Sequence, residues 1–170
     1  MNRSTFDLII FGEELERINT CLSKLCADAK GKAIFLVDKN GQLISSCGET
    51  EGLDTTSLAS LTAGNIAASG GLARLLGERE FSILFHEGER DNLHISLVGE
   101  LAILVILFDR RSSLGLVRLR AKRATEDLSQ IFDNLLERME QEKGRAKALF
   151  LSHFGEVTDA DIDNLFRSRG

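Results

Sequence analysis

The stretch AIFLVDKNGQLISSC, residues 33–47, decides the fold. Ala33–Val37 is a continuous apolar run of strand length, and Leu43–Cys47 is a second strand-like run. Between them stands Asn40-Gly41, a dipeptide that favours the type I′ turn of two-residue β-hairpins. The segment therefore predicts a hairpin with a type I′ turn, and the rest of the chain is arranged around it.

A helix is predicted on each side of this hairpin. Glu13–Lys30 carries apolar residues at helical spacing and stops before Gly31, a residue typical of helix ends. Downstream, Asp54 is a typical N-cap and Gly77 a typical C-terminal residue, so the second helix lies between them. The apolar positions of the first helix are Leu15, Ile18, Leu22 and Leu25.

Three further strands and a third helix complete the pattern. The strand-like runs are Phe81–His86, Leu93–Val98 and Leu101–Phe108, and the last is apolar on both faces, as a central strand should be. Ser112 or Ser113 caps the third helix, which is expected to end near Glu140. The order αββαβββα predicts an α+β fold: one five-stranded antiparallel sheet with helices packed on it.

Composition limits the classes of function. The net charge of −5 is atypical of nucleic-acid-binding modules. The apolar runs at residues 8–11 and 101–108 are too short for a signal peptide or a membrane span, so we expect a cytoplasmic protein without membrane insertion. Phosphate-loop, zinc and nucleophile-elbow motifs are all missing, and no cofactor, metal or catalytic residue is predicted. The cysteines, without CxxC spacing, are expected to be ordinary thiols: Cys21, Cys26 and Cys47.

The second helix contains three glycines, and each costs a helix interior about 1 kcal/mol relative to alanine. A stripe of large side chains is expected to pack on the sheet: Leu58, Leu61, Ala68, Leu72 and Leu75. Beside it lies a second face of small residues: Ser60, Gly64, Ala67 and Gly71, bordered by Arg74. The small-residue face favours close contact with another helix or a partner protein. A tight intramolecular crossing or a loosely packed exposed helix are the alternatives.

Two other features carry charge. A basic cluster contains Arg110, Arg111, Arg118, Arg120, Lys122 and Arg123. It is either a solvated helix face or a patch that steers an acidic partner.

In the sequence VTDADIDNLF, residues 157–166, Ile162, Leu165 and Phe166 have helical spacing behind three aspartates. This segment favours docking into a partner's groove over a frayed terminus.

These patterns give a division of the chain into a domain at residues 12–139, a linker at 140–156 and a docking tail at 157–170.

The chain resembles the Roadblock/dynein-light-chain family, over most of residues 32–124, and within it the bacterial polarity regulators. The resemblance is carried by the element order and by five segments: FLVDKNGQLISS, DTTSLASLTAGNIAASGGLARLLGEREF, FHEGERDNL, VILFDRRSSLGLVRLRAKRA and the terminal DADIDNLF.

This resemblance implies a homodimer whose sheets join and whose second helices lie side by side. It further implies a GTPase-activating protein for a small Ras-like GTPase of the MglA type that controls cell polarity and motility, with enrichment at a cell pole. The implied GTPase-contacting residues on the second helix are Gly64, Ala67, Ala68 and Gly71, with Arg74 at the border.

In the tail, the resemblance makes Ile162, Leu165 and Phe166 the anchors of a segment that promotes nucleotide exchange. No catalytic residue is implied, because such regulators reorganise the GTPase's own residues, and Arg74 as an arginine finger is the rival interpretation. A non-catalytic scaffold and a small-ligand sensor remain as alternative functions.

Overall fold

The computed structural model describes residues 12–154, and the predicted α+β order αββαβββα is confirmed. Most boundaries fall within two residues of those predicted. The elements in chain order are α1 (Glu13–Asp28), β1 (Ala33–Asp38), β2 (Leu43–Gly48), α2 (Thr55–Leu76), β3 (Ile83–His86), β4 (Asn92–Val98), β5 (Ala102–Phe108) and α3 (Leu114–Phe154).

The strands form one antiparallel sheet in the order β2-β1-β5-β4-β3. β5 is its central strand, with all seven residues buried. Val105 stands between Phe35 of β1 and Ile95 of β4 in the ladder. A central strand is covered on both faces, which is why its sequence is apolar throughout.

The two faces of the sheet are covered by different helices. On one face Phe35, Ile95 and Val105 share a buried cluster with Ala59 of α2. Side chains alternate between the faces of a strand, so His94 and Ser96 of β4 point to the opposite side from Ile95. There they line a cleft together with residues of α3. The buried residues of α1 and of α3 up to position 132 are Glu14, Ile18, Leu22, Leu25, Val117, Ala121, Ala124, Leu128, Ile131 and Phe132.

The hairpin between β1 and β2 differs from the prediction in its turn. A type I′ turn needs positive φ at both central residues, but among residues 12–154 Lys30 is the only non-glycine with positive φ. Instead Asp38 Oδ1 accepts hydrogen bonds from the backbone N–H groups of Asn40 and Gln42, both at 2.9 Å. Gly41, with φ of 86°, donates its N–H to the Asp38 carbonyl oxygen. The type I′ prediction is wrong because the Asp38 side chain organises a longer loop.

α3 is also longer than the sequence predicts. The predicted end near Glu140 is wrong, since the helix continues to Phe154. The side chains from 141 to 153 are exposed, and most are good helix formers such as Gln141, Lys143 and Ala146. The weak periodicity of this stretch therefore belongs to a helix segment without a buried face.

The contacts divide the chain into two compact units, one ending at Phe132 and the other beginning at Asp133. The predicted limits 12–139, 140–156 and 157–170 remain predictions.

Within residues 12–154, no helix is both long enough and apolar enough to cross a membrane.

Candidate functional site

α2 has well-defined ends despite its three glycines. Asp54 is the predicted N-cap, and its Oδ1 accepts a hydrogen bond of 3.0 Å from the backbone N–H of Ser57. The Ser57 hydroxyl also donates to Asp54, and these bonds lower the pKa of the Asp54 carboxyl. At the other end Gly77 adopts a left-handed conformation with φ of 74°, as predicted for the C-terminus. Capping at both ends offsets part of the cost of the internal glycines.

The side of α2 that faces the sheet is not the one that the leucine stripe predicts. The buried residues are small: Ala59, Thr62, Ser69 and Ala73. Leu61, Leu72 and Leu75 are 74%, 57% and 83% exposed, so the prediction that they pack on the sheet is wrong. Leu58 alone of that stripe packs, in part, on the core cluster. Small residues let the helix lie close to the strands, whereas leucines at those positions would hold it away.

The predicted small-residue face is open. Gly64, Ala67, Ala68 and Arg74 are exposed, and Gly71 is half-buried. A Cβ atom added at Gly64, Gly70 or Gly71 would meet nothing within 4 Å. A tight intramolecular crossing at these glycines is therefore ruled out within the part of the chain that the structure describes.

The exposed leucines and small residues together form one surface. Leu61, Gly64, Ala68, Gly71 and Leu75 recur at spacings of three and four, which is the seam that one helix offers to another. The sequence analysis did not include the leucines in this surface, because helical periodicity does not show which apolar stripe of a helix faces the sheet. We call this surface the α2 face: Leu61, Gly64, Ala67, Ala68, Gly71, Leu72, Arg74 and Leu75.

β3 provides a second open feature next to α2. Among the described strands it pairs with β4 only, and Ile83 and Phe85 are exposed. Its last residue, His86, is held to α2 because His86 Nε2 lies 3.0 Å from Asn65 Nδ2. An edge strand of this kind carries unpaired backbone groups that can join another strand.

The basic cluster is partly neutralised by neighbouring acids. Arg111 is bound by Asp109 and by Glu49, at 3.0 and 2.8 Å, and the guanidinium lowers the pKa of the Asp109 carboxyl. Arg123 lies 3.7 Å from Asp127, one turn further along α3. These ion pairs favour the solvated-face interpretation for Arg111 and Arg123.

Of the two predicted caps of α3, Ser113 is observed as one: its hydroxyl oxygen accepts a hydrogen bond of 3.2 Å from the backbone N–H of Leu116.

His94 is a buried titratable group on the other side of the sheet. Burial lowers the pKa of its imidazole below the usual 6.5, and Arg118 lowers it further. Between the two pKa values the unfolded chain binds a proton that the folded chain does not, so stability falls as the pH drops below about 6.5. As the pH falls through this range, we expect the free energy of unfolding of the wild-type protein to fall by up to about 1.4 kcal/mol per pH unit more than that of His94→Leu.

Urea denaturation at pH 7.5 and at pH 5.5 checks this expectation, in a buffer without phosphate. Carboxylates titrate equally in wild type and in His94→Leu. The difference between the two proteins in stability lost from pH 7.5 to 5.5 therefore reports the titration of His94. Equal losses in wild type and variant would contradict it.

The predicted tail residues Ile162, Leu165 and Phe166 lie outside the described residues. Among residues 12–154, no group of three or more His, Cys, Asp or Glu side chains is placed to hold a metal ion.

The comparisons with known proteins agree with this architecture. The Roadblock/LC7 domain profile matches residues 20–108. The structure of Myxococcus xanthus MglB is 58% identical, covers 74% of this chain and 94% of its own, and has a TM-score of 0.71. The structure of the gliding protein MglB of Thermus thermophilus is 35% identical, covers 73% of this chain and 94% of its own, and has a TM-score of 0.69.

A structure described as MglB with a tetrameric arrangement is 34% identical, over 74% of this chain and 94% of its own, with a TM-score of 0.70. A search of curated protein sequences gives no significant match. The resemblance seen in the sequence is confirmed: the chain belongs to the Roadblock/LC7 domain family, as a relative of the MglB proteins.

Proposed function

We propose that this chain is a GTPase-activating protein for a small Ras-like GTPase of the MglA type, acting in bacterial cell polarity and gliding motility. The observation that carries the proposal is the open α2 face on an MglB-like fold. Glycine and alanine let a partner's backbone approach a helix closely, and the exposed leucines supply apolar area for binding. In this role the chain regulates another protein's chemistry and is not itself an enzyme.

The activator would work as a homodimer. The open edge at β3 can pair with β3 of a second copy and extend the sheet, which would cover Ile83 and Phe85. On α2, Leu61 and Leu75 lie at equal distances on either side of Ala68. An antiparallel pair of α2 helices crossing at Ala68 would therefore set Leu61 of each copy against Leu75 of the other.

Activation would occur by repositioning the GTPase's own catalytic residues. An arginine finger supplied by a partner is worth roughly 10³ to 10⁵ in rate, and Arg74 is the candidate because it is exposed beside the α2 face. The proposal assigns Arg74 to binding instead. Arg74→Ala is the variant that separates the two mechanisms.

Single-turnover GTP hydrolysis by the Ras-like GTPase of the same organism, with and without this protein, tests the function. We expect strong acceleration, and we expect Arg74→Ala to retain most of it. A loss on the order of 10³-fold in that variant, with binding intact, would assign Arg74 as an arginine finger. Binding without acceleration would instead support a non-catalytic Roadblock scaffold.

The proposal extends to the C-terminal segment. Residues 157–170 would form a docking tail that contacts the GTPase away from the nucleotide and promotes exchange, with Ile162, Leu165 and Phe166 as anchors. We expect the double variant Leu165→Ala/Phe166→Ala to dimerise normally and to bind the GTPase more weakly or to exchange nucleotide more slowly. Fluorescent-nucleotide release and size-exclusion chromatography measure the two properties, and unchanged affinity and exchange would leave the tail without this role.

In the cell, such a regulator would be cytoplasmic and enriched at one pole. A fluorescent fusion expressed from the native locus would show a polar focus, and the loss of that focus in a strain without the GTPase would link the position to the partner.

A further inference from the structure

A small cleft lies on the side of the sheet away from α2, between β4 and α3. Its volume is about 380 Å³. Hydroxyl, imidazole and cationic groups converge on it from the segment before β3, from β4 and from α3. These are Ser82, His94, Ser96, Arg118, Lys122 and Thr125.

Two of these polar side chains are buried without a partner. His94 and Ser96 are 1% and 5% exposed, and both point to the same side of β4 because they are two residues apart. Neither ring nitrogen of His94, nor the Ser96 hydroxyl, has a hydrogen-bond partner among residues 12–154. Buried polar groups are nearly always hydrogen-bonded, since leaving one unpaired costs free energy. Two adjacent exceptions in one cleft mark a place where a polar group from outside the chain, a water or a ligand, completes the bonding.

The charge of the cleft indicates the sign of that ligand. Arg118 and Lys122 are exposed and lie one turn apart on α3, and neither has an ion-pair partner in the part of the chain that the structure describes. No carboxylate of residues 12–154 lines the cleft. His94 is kept neutral by burial and by Arg118, so it can donate one hydrogen bond and accept another. The site therefore offers donors and positive charge to an anion.

We propose that this cleft binds the phosphate group of a small molecule. The residues that line the cleft carry three hydroxyls, one imidazole, one guanidinium and one ammonium, although the Thr125 hydroxyl already donates to the Lys122 carbonyl oxygen. Several donors of this kind suit the several oxygens of a tetrahedral phosphate better than the two of a planar carboxylate. Leu119 of α3 borders the same cleft and is exposed, so a phosphate ester with an apolar body fits it best. This site is on the opposite side of the sheet from the α2 face, and it does not depend on the GTPase-activating role.

The protonation of His94 gives the site a characteristic signature. A phosphate beside the imidazole favours the protonated ring, so the complex holds its proton to a higher pH than the free protein does. The pKa of the His94 imidazole is therefore expected to rise when phosphate binds. Arg118 and Lys122 of α3 are the charged groups that face His94 in this cleft.

Nuclear magnetic resonance of the His94 ring, titrated with inorganic phosphate at constant ionic strength, tests the proposal. His94→Asn assigns the signal by its loss. We expect a saturable shift, a higher pKa of the His94 imidazole with phosphate than without it, and a Kd raised about tenfold or more by Arg118→Gln, which removes a charge-assisted hydrogen bond.

Arg123→Gln is the matched control. It removes the same charge from the same helix, but Arg123 borders a different cleft and pairs with Asp127. Circular dichroism establishes that both variants are folded. No saturable shift with phosphate, a shift with acetate alone, or equal weakening by the two variants would overturn the proposal.

Discussion

Replacing Gly71 by arginine is expected to abolish association with the GTPase while the domain stays folded. A side chain at Gly71 has open space, since a Cβ atom there meets nothing within 4 Å. Arginine is also a better helix former than glycine, by up to about 1 kcal/mol, so the melting temperature should hold or rise slightly. A large cation in the middle of the α2 face would prevent the close approach that the glycines permit. We expect binding to weaken at least about a hundredfold, or roughly 2.7 kcal/mol, and the acceleration of hydrolysis to disappear.

Gly144→Arg is the matched control for this variant. Gly144 also lies in a helix, α3, and also has nothing within 4 Å of an added Cβ atom. Calorimetric titration with the GTPase, circular dichroism melting and light scattering together separate binding, folding and dimerisation. Loss of the melting transition in Gly71→Arg would place Gly71 in a core and contradict the proposed surface. Loss of the dimer as well as the GTPase would show that both contacts share the α2 face.

A large loss of stability is expected from Gly48→Ala. Gly48 ends β2 with φ of 89°, and an added Cβ atom would lie 2.5 Å from the Lys32 carbonyl oxygen and 3.0 Å from the Ala33 Cα atom. Positive φ alone costs a non-glycine residue about 1 to 2 kcal/mol. The contact with Lys32 and Ala33 is with backbone, which cannot move aside without disturbing the pairing of β1 and β2. We expect a total loss of about 3 kcal/mol or more, and a fall in Tm on the order of 10 °C.

Gly52→Ala separates the two causes of this loss. Gly52 also has positive φ, at 76°, but nothing lies within 4 Å of its added Cβ atom. It should therefore lose only the backbone contribution of about 1 to 2 kcal/mol. Urea denaturation of both variants measures the difference, and equal losses would show that the close approach of β1 to Gly48 does not limit stability.

Most of the fold could be predicted because its signals are local. Asp54 and Gly77 mark the ends of α2 by their own hydrogen bonds and φ, and the continuous apolar run of β5 identifies the central strand. Two local predictions failed for equally local reasons. The side chain of Asp38 outweighed the turn preference of Asn40-Gly41. The exposed end of α3 has helix propensity without the apolar period that usually identifies a helix.

The α2 face separates what the sequence determines from what only the tertiary structure decides. The sequence by itself determined that α2 is a helix, that it carries one stripe of leucines and one of small residues, and that its glycines need a reason. It could not determine which stripe meets the sheet, because helical periodicity gives the angle between two faces but not their orientation in space. The tertiary structure decided this through distance. Small side chains let a helix lie close to a sheet, and Ala59, Thr62, Ser69 and Ala73 are the residues of α2 that are buried. Leu58 and Ile66 pack partly on the same core, and Leu61, Leu72 and Leu75 are left outside beside Gly64 and Gly71.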